Sequence, residues 1–167
     1  MKAKIVGMLL LVAAYGCCIA PKVDNQPVAA LDLKRYLGEW YEIARLEHAF
    51  ERGMEKCRAM YSLRKDGQID VVNSGVKNGT VKQAYAVAKT TETPGLLRVS
   101  FFWPFYADYR VLMVDESYSS ALVGSGGAGY LWILSRAPTM EEKARTKLLE
   151  EARRRGYDTS ALVWVRQ

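Results

Sequence analysis

The chain has 167 residues, 50% of them apolar and 25% charged, with a formal net charge of +6. That is material for one globular domain with a core of its own. The basic residues are scattered except for Arg153, Arg154 and Arg155. That run sits in a Glu-, Lys- and Arg-rich helical stretch and reads as a solvated face, with attraction to anionic lipid head groups as the other reading, so nothing points to nucleic acid.

In chain order, Lys2 and Lys4 precede an apolar run over residues 5–15 that ends in small residues and two cysteines. This is the pattern of a signal peptide over 1–16, too short for a comfortable membrane span. Ala14-Tyr15-Gly16-Cys17 resembles the lipobox of bacterial lipoproteins, although Ala14 stands where leucine is usual. The resemblance implies lipid attachment at Cys17, because a register ending at Cys18 puts Cys17 where Gly16 fits better. With Cys18 rather than an aspartate following, similarity to enterobacterial lipoproteins implies an outer-membrane address. Residues 17–30 then form the lipidated N-terminus and a polar, Pro-containing tether, and the folded domain spans 31–167. Cys57 is the one cysteine in that domain, so the fold has no internal disulfide and Cys57 reads as a small buried apolar residue.

Eight β-prone runs follow, at 38–46, 57–63, 69–76, 81–89, 96–103, 109–114, 119–124 and 130–135. Short turn signals separate them, among them Asp66-Gly67, Asn78-Gly79, Pro94-Gly95 and the glycine-rich 126–129 segment. Connections this short favour antiparallel neighbours, and eight meandering strands can close into a barrel that has no free edge. Several runs carry apolar residues on both faces, as a hollow barrel of about eight strands requires. The period then changes. Thr139 and Glu142 form a capping-box pattern, Ala144, Leu148, Leu149 and Ala152 recur at helical spacing, and Gly156 is placed as a C-cap. The fold expected is all-β: an eight-stranded antiparallel up-and-down barrel with one C-terminal helix packed outside and a short extra strand over 161–165.

Three motifs are more specific. Leu33-Lys34-Arg35-Tyr36-Leu37-Gly38-Glu39-Trp40-Tyr41-Glu42-Ile43-Ala44-Arg45 opens the meander, Tyr109-Arg110-Val111-Leu112-Met113-Val114-Asp115 with Tyr118 comes later, and Tyr130-Leu131-Trp132-Ile133-Leu134-Ser135-Arg136 ends it. Together these resemble the three conserved regions of the lipocalin family. Phe50-Glu51-Arg52-Gly53 and the run from Phe101 to Tyr106 are similar to the bacterial outer-membrane lipocalins and their apolipoprotein D-like relatives. The resemblance runs from Leu31 to Gln167. It implies structural closure of the barrel by Trp40 lying under Arg136, a contact of cation–π type. It also implies an interior that takes a fatty acid or lysophospholipid.

With Trp40 and Arg136 setting the phase, and with the family's inward positions, the ligand-binding set is expected to comprise Ala59, Tyr61, Val71, Val99, Phe101, Tyr109, Val111, Met113, Tyr130 and Trp132. Almost none of these carries a charge, which suits an acyl chain. The tyrosines and Trp132 either meet a polar head group or fill the base. Phe50 is expected in the first long loop, as a gate over the mouth or as ordinary loop packing. Arg45 and Arg98 reach an anionic head group at the rim or form exposed salt bridges.

No catalytic constellation is legible. His48 is the only histidine, and nucleophile-elbow, phosphate-loop and paired-cysteine patterns do not occur, so no enzyme activity, metal or cofactor is expected. A lipid-processing enzyme would have Cys57 as its thiol. An interaction protein with a filled barrel is the other alternative, and association of two barrels into a homodimer is left open.

Overall fold

The computed structural model describes residues 22–167; the expected signal peptide, Cys17 and Cys18 lie outside them. A short helix, α1 (Leu33–Tyr36), begins the motif region, capped by the Asp32 side chain on Arg35 N. Eight strands follow: β1 (Gly38–Leu46), β2 (Glu55–Leu63), β3 (Ile69–Lys77), β4 (Thr80–Thr90), β5 (Leu96–Phe102), β6 (Phe105–Val114), β7 (Ser120–Gly124) and β8 (Leu131–Ser135). Each is antiparallel to the next, and β1 pairs with both β8 and β2, so the sheet closes on itself. The upper half of β1 lies where β2 has diverged, and there β9 (Leu162–Trp164) takes the free edge through Ala44 to Leu46.

Turn chemistry sets the registers. Asn78 and Gly79 both have positive φ, 52° and 72°, which a two-residue hairpin between Lys77 and Thr80 requires. The Trp103-Pro104 pair makes an equally tight connection, with Phe102 opposite Phe105. The sixth strand therefore starts at Phe105, four residues before the expected run, because the break implied by Pro104 is only the hairpin itself.

Two hydrophobic clusters lie on either side of the barrel wall. The inner one includes Trp40, Tyr61, Ile69, Val71, Ala86, Ala88, Leu97, Val99, Val111, Val123 and Leu134. The outer one joins Ile43, Leu112, Leu122, Leu131 and Ile133 of the wall to Leu148 and Ala152 of the helix α2 (Glu142–Arg154). The capping box does not form. Glu141 is the N-cap residue and makes no side-chain cap, while the Thr139 carbonyl accepts from Ser135 Oγ. The C-terminus is as expected. Gly156 has φ 89°, its N–H reaches the Arg153 carbonyl and that of Tyr157 reaches Ala152, a Schellman closure.

The segment expected as a tether is partly built into the fold. Asp24 N donates to the Arg155 carbonyl, Val28 N donates to the Val111 carbonyl, and Asn25 Nδ2 donates to the Ser125 carbonyl. Arg155 returns hydrogen bonds to the carbonyls of Asp24 and Gln26. Residues 24–28, upstream of Leu31, are thus hydrogen-bonded to the barrel and to the end of the helix.

Candidate ligand-binding barrel

Connectivity defines two ends. The β2–β3, β4–β5 and β6–β7 turns share one end with α1, and the β1–β2, β3–β4, β5–β6 and β7–β8 connections share the other. At the α1 end the Arg136 guanidinium lies 3.8 Å from the centroid of the Trp40 ring. It also donates to the carbonyls of Glu39, Arg35, Tyr36, Leu37 and Tyr118, while the Trp40 indole N–H donates to Tyr36 O at 2.8 Å. Gly38 is required here. Its φ is 94°, and a Cβ would lie 3.3 Å from Arg136 Nη1.

Above this plug, three phenols, buried Tyr36 and Tyr61 and half-buried Tyr109, hydrogen-bond to one another. Tyr109 Oη lies 2.6 Å from Tyr36 Oη and accepts from Tyr61 Oη at 3.0 Å. Burial pushes the acidity of all three down, raising the pKa of Tyr61 to about 12 and those of Tyr36 and Tyr109 well above the ordinary phenol value. The tyrosines at the base therefore hydrogen-bond among themselves.

The wall from β3 to β6 is made of small apolar residues. Val71 pairs with Ala86, Ala88 with Val99, and Val99 with Ala107, so these share the inner face with Ala84. Ala86 and Ala88 are buried, whereas Ala84 and Ala107, nearer the mouth, are solvent-exposed although they face inward. The upper interior is thus open on this side. An alternation of alanines on β4 is the signal in the sequence that marks this wall, and the inward positions expected from the sequence included none of them.

The opposite wall is polar. A register shift in β1 between Glu42 and Ala44 places Ile43 and Ala44 both outside and returns Arg45 to the inner face, opposite Trp132. Arg45 is 1% exposed rather than at the rim, with Nη1 2.7 Å from Glu42 Oε1 and Nη2 2.7 Å from the Glu51 carbonyl. Its Nε has no hydrogen-bond partner among the described residues. Trp132 Nε1 donates to Glu51 Oε2 at 3.2 Å. Burial and the neighbouring Glu51 raise the Glu42 pKa to about 7, against the lowering effect of Arg45. Cys57 belongs to this cluster, its thiol pushed up to about 12 chiefly by burial. The expectation of an almost uncharged interior is corrected here: one wall carries a buried acid–base cluster. Arg98 faces outward and pairs with Asp108 at 2.7 Å.

The first loop covers this polar wall. The His48 ring stacks 4.5 Å from Tyr130 and 5.3 Å from Phe50, and lies 5.4 Å from Trp132. Phe50 is the exposed outer leaf of that stack, at the mouth.

Of the expected inward residues, Ala59, Tyr61, Val71, Val99, Tyr109, Val111 and Trp132 belong to or pack against the inner cluster. Met113 and Phe101 do not point inward. The ladder shifts between Val111 and Met113, so Leu112 and Met113 both join the outer cluster. A second shift between Val99 and Phe102 sets Ser100 and Phe101 against the single residue Tyr106 and reverses the phase. Phe101 instead lines an outer-wall groove of about 720 Å³ with Val72, Tyr85, Val87, Trp103 and Tyr106.

A closed eight-strand barrel plugged at one end, accessible at the other and flanked by one helix defines a calyx. The chain belongs to the lipocalin family: the model described as "Lipocalin-like domain" matches residues 31–167. The chain is 48% identical over 140 residues to the outer membrane lipoprotein Blc of Escherichia coli K12, covering 81% of this chain and 79% of that protein. To the Blc protein of Vibrio cholerae it is 43% identical over 165 residues, with 96% of each chain covered. Insecticyanin from the tobacco hornworm Manduca sexta shares the fold with a TM-score of 0.73 at 20% identity, covering 89% of this chain and 86% of that one.

Proposed function

We propose that the protein is an envelope lipid-binding lipocalin that stores or transports a fatty acid or lysophospholipid in its barrel, anchored to the outer membrane through acylated Cys17. The carrying observation is the inner wall of Val71, Ala84, Ala86, Ala88, Val99 and Ala107, buried below and solvent-accessible above. Each methylene moved from water onto such a wall contributes about 0.8 kcal/mol. Tyr130 and Trp132 at the mouth, Tyr61 and Tyr109 beneath, and Val71, Val99 and Val111 between them bound the acyl path, and Phe50 with His48 forms the gate. The unpartnered Nε of Arg45 is the group offered to an anionic head once the first loop opens. The names of the two bacterial relatives, both outer membrane lipoproteins, support the same cellular address and anchor.

Delipidated protein titrated with a fluorescent fatty acid is expected to bind saturably at one site per barrel. Ala86→Trp, which fills the inner wall, is expected to abolish that binding while the far-ultraviolet circular dichroism is retained. Absence of saturable binding to the unaltered protein would refute the proposal. Turnover by Cys57 is disfavoured, because a thiol held up to about 12 is not a thiolate at neutral pH.

A further inference from the structure

The two ends of the barrel differ in surface chemistry. The turns at the plugged end are polar: 64–68 reads Arg-Lys-Asp-Gly-Gln, 91–95 reads Thr-Glu-Thr-Pro-Gly, and 115–119 reads Asp-Glu-Ser-Tyr-Ser. Among the described residues the most exposed apolar side chains gather at the mouth, with Leu63, 52% exposed, the one at the plugged end and Tyr85 on the outer wall between. Phe102 is 80% exposed, Trp103 83%, Phe105 76%, Val81 67% and Phe50 65%. The β5–β6 hairpin carries an unbroken apolar run from Phe101 to Tyr106 across its tip. The phase reversal by its bulge sends Phe101 and Tyr106 to the outer groove, while Phe102 and Phe105 stand on the inner side above the mouth. The tip is therefore apolar on both faces. A hydrocarbon medium covers both faces at once, and aromatic side chains are favoured at its interface. Lys77 and Lys82 flank the neighbouring β3–β4 turn, where lipid phosphates would meet them.

The chain also leaves the domain at this end. Helix α2 starts after β8 at the plugged end and finishes at Arg154, and β9 then begins beside Leu46 at the mouth end of β1. Asp24 is bonded to Arg155 at that helix terminus, and Asn25 to Ser125 of the β7–β8 connection at the mouth. Cys17 stands five residues before Lys22. Even fully extended, such a stretch spans at most about 17 Å.

We infer that the barrel docks mouth-down on a phospholipid bilayer, with the tip of the β5–β6 hairpin, Phe102, Trp103 and Phe105, inserted into the interfacial layer. The orientation rests on the proposed acylation of Cys17; the insertion rests on the hairpin alone. The apolar opening then faces the surface from which a lipid ligand is drawn, and aromatic side chains occupy the depth at which they are favoured.

The test uses the mature protein reconstituted into phosphatidylethanolamine–phosphatidylglycerol vesicles doped with phosphatidylcholine brominated near the carbonyl end of its chains. Trp103 is the reporter, and Trp103→Phe identifies its share of the emission. The expected result is quenching of the Trp103 component by the brominated lipid, lost in Phe102→Ser/Phe105→Ser while fatty-acid binding and circular dichroism stay unchanged. Equal Trp103 emission with and without bromine would overturn the inference, as would a stable dimer that shields Trp103 in the same vesicles. Intact-mass measurement reports acylation separately. Quenching by a chain found without acyl groups leaves insertion standing and removes the anchor, whereas an acylated chain without quenching removes the docking and leaves the anchor.

Discussion

Replacing Arg136 by alanine removes the plug of the barrel, and the structure sets the size of the effect. The guanidinium donates to five main-chain carbonyls, those of Arg35, Tyr36, Leu37, Glu39 and Tyr118, and stacks on Trp40. At a net value near the low end of the usual range for each bond, and with a cation–π contribution of about 1 kcal/mol, the loss should be about 4 kcal/mol. For a domain of this size that corresponds to a fall in Tm of roughly 10 °C. Arg136→Lys keeps the charge but lacks the planar fork, so about half the loss is expected. Urea unfolding of Arg136→Ala, Trp40→Phe and the double variant checks this, with a coupling between the two sites of about 1 kcal/mol. The reasoning fails if Arg136→Ala costs under about 1 kcal/mol. It also fails if the variant loses ligand affinity at unchanged stability, since Arg136 would then be a ligand contact.

Tyr109→Phe strands the hydroxyls of both Tyr36 and Tyr61 and should cost about 2–4 kcal/mol in urea, whereas Tyr61→Phe, at the end of the chain, should cost about 1 kcal/mol. Glu42, raised from 4.5 to about 7 by burial and by Glu51, holds in the folded chain a proton that the unfolded chain releases. Its stabilising contribution is complete below pH 4.5 and is lost as pH rises through about 7, so Glu42→Gln should flatten the pH dependence of the urea midpoint across that window. Glu151 is the opposite case. Hydrogen bonds from Arg154, offset by burial and joined by those from Arg155, hold it down to about 2, so its contribution is present above 4.5 and lost as pH falls through about 2. Glu151→Gln should blunt that acid limb of the unfolding curve. Cys57 should resist a disulfide reagent at mildly alkaline pH until the chain is unfolded, because burial keeps its thiol protonated.

The strand runs and their order were legible because each rests on local chemistry, turn residues and β-prone runs, whereas the pairing of Trp40 with Arg136 came from the resemblance of the motifs at either end of the meander to the lipocalin regions. The facing of side chains was legible only up to each bulge. Neither Val111-Leu112-Met113 nor Val99-Ser100-Phe101-Phe102 shows where an extra residue enters the ladder, since apolar residues stand on both sides of it. A one-residue insertion reverses everything beyond it, and so Met113 and Phe101 were misplaced. The same device in β1 carries Arg45 into the interior, where a charged residue in a strand reads ordinarily as surface. The capping box failed for a different reason: Thr139 and Glu142 have the right spacing, but the helix starts two residues later than that motif needs.

The phenol trio has one more consequence. Because Tyr36, Tyr61 and Tyr109 spend two of their three hydroxyl protons on one another, and the Arg136 guanidinium beneath them is turned to main-chain carbonyls, the floor of the calyx presents no cation to an acid group. Cargo taken up in the proposed way must descend hydrocarbon end first and keep its ionic group uppermost, next to the Arg45 cluster. A molecule seated like that can be handed back by the end that entered last, with no charge dragged through the greasy part of the barrel.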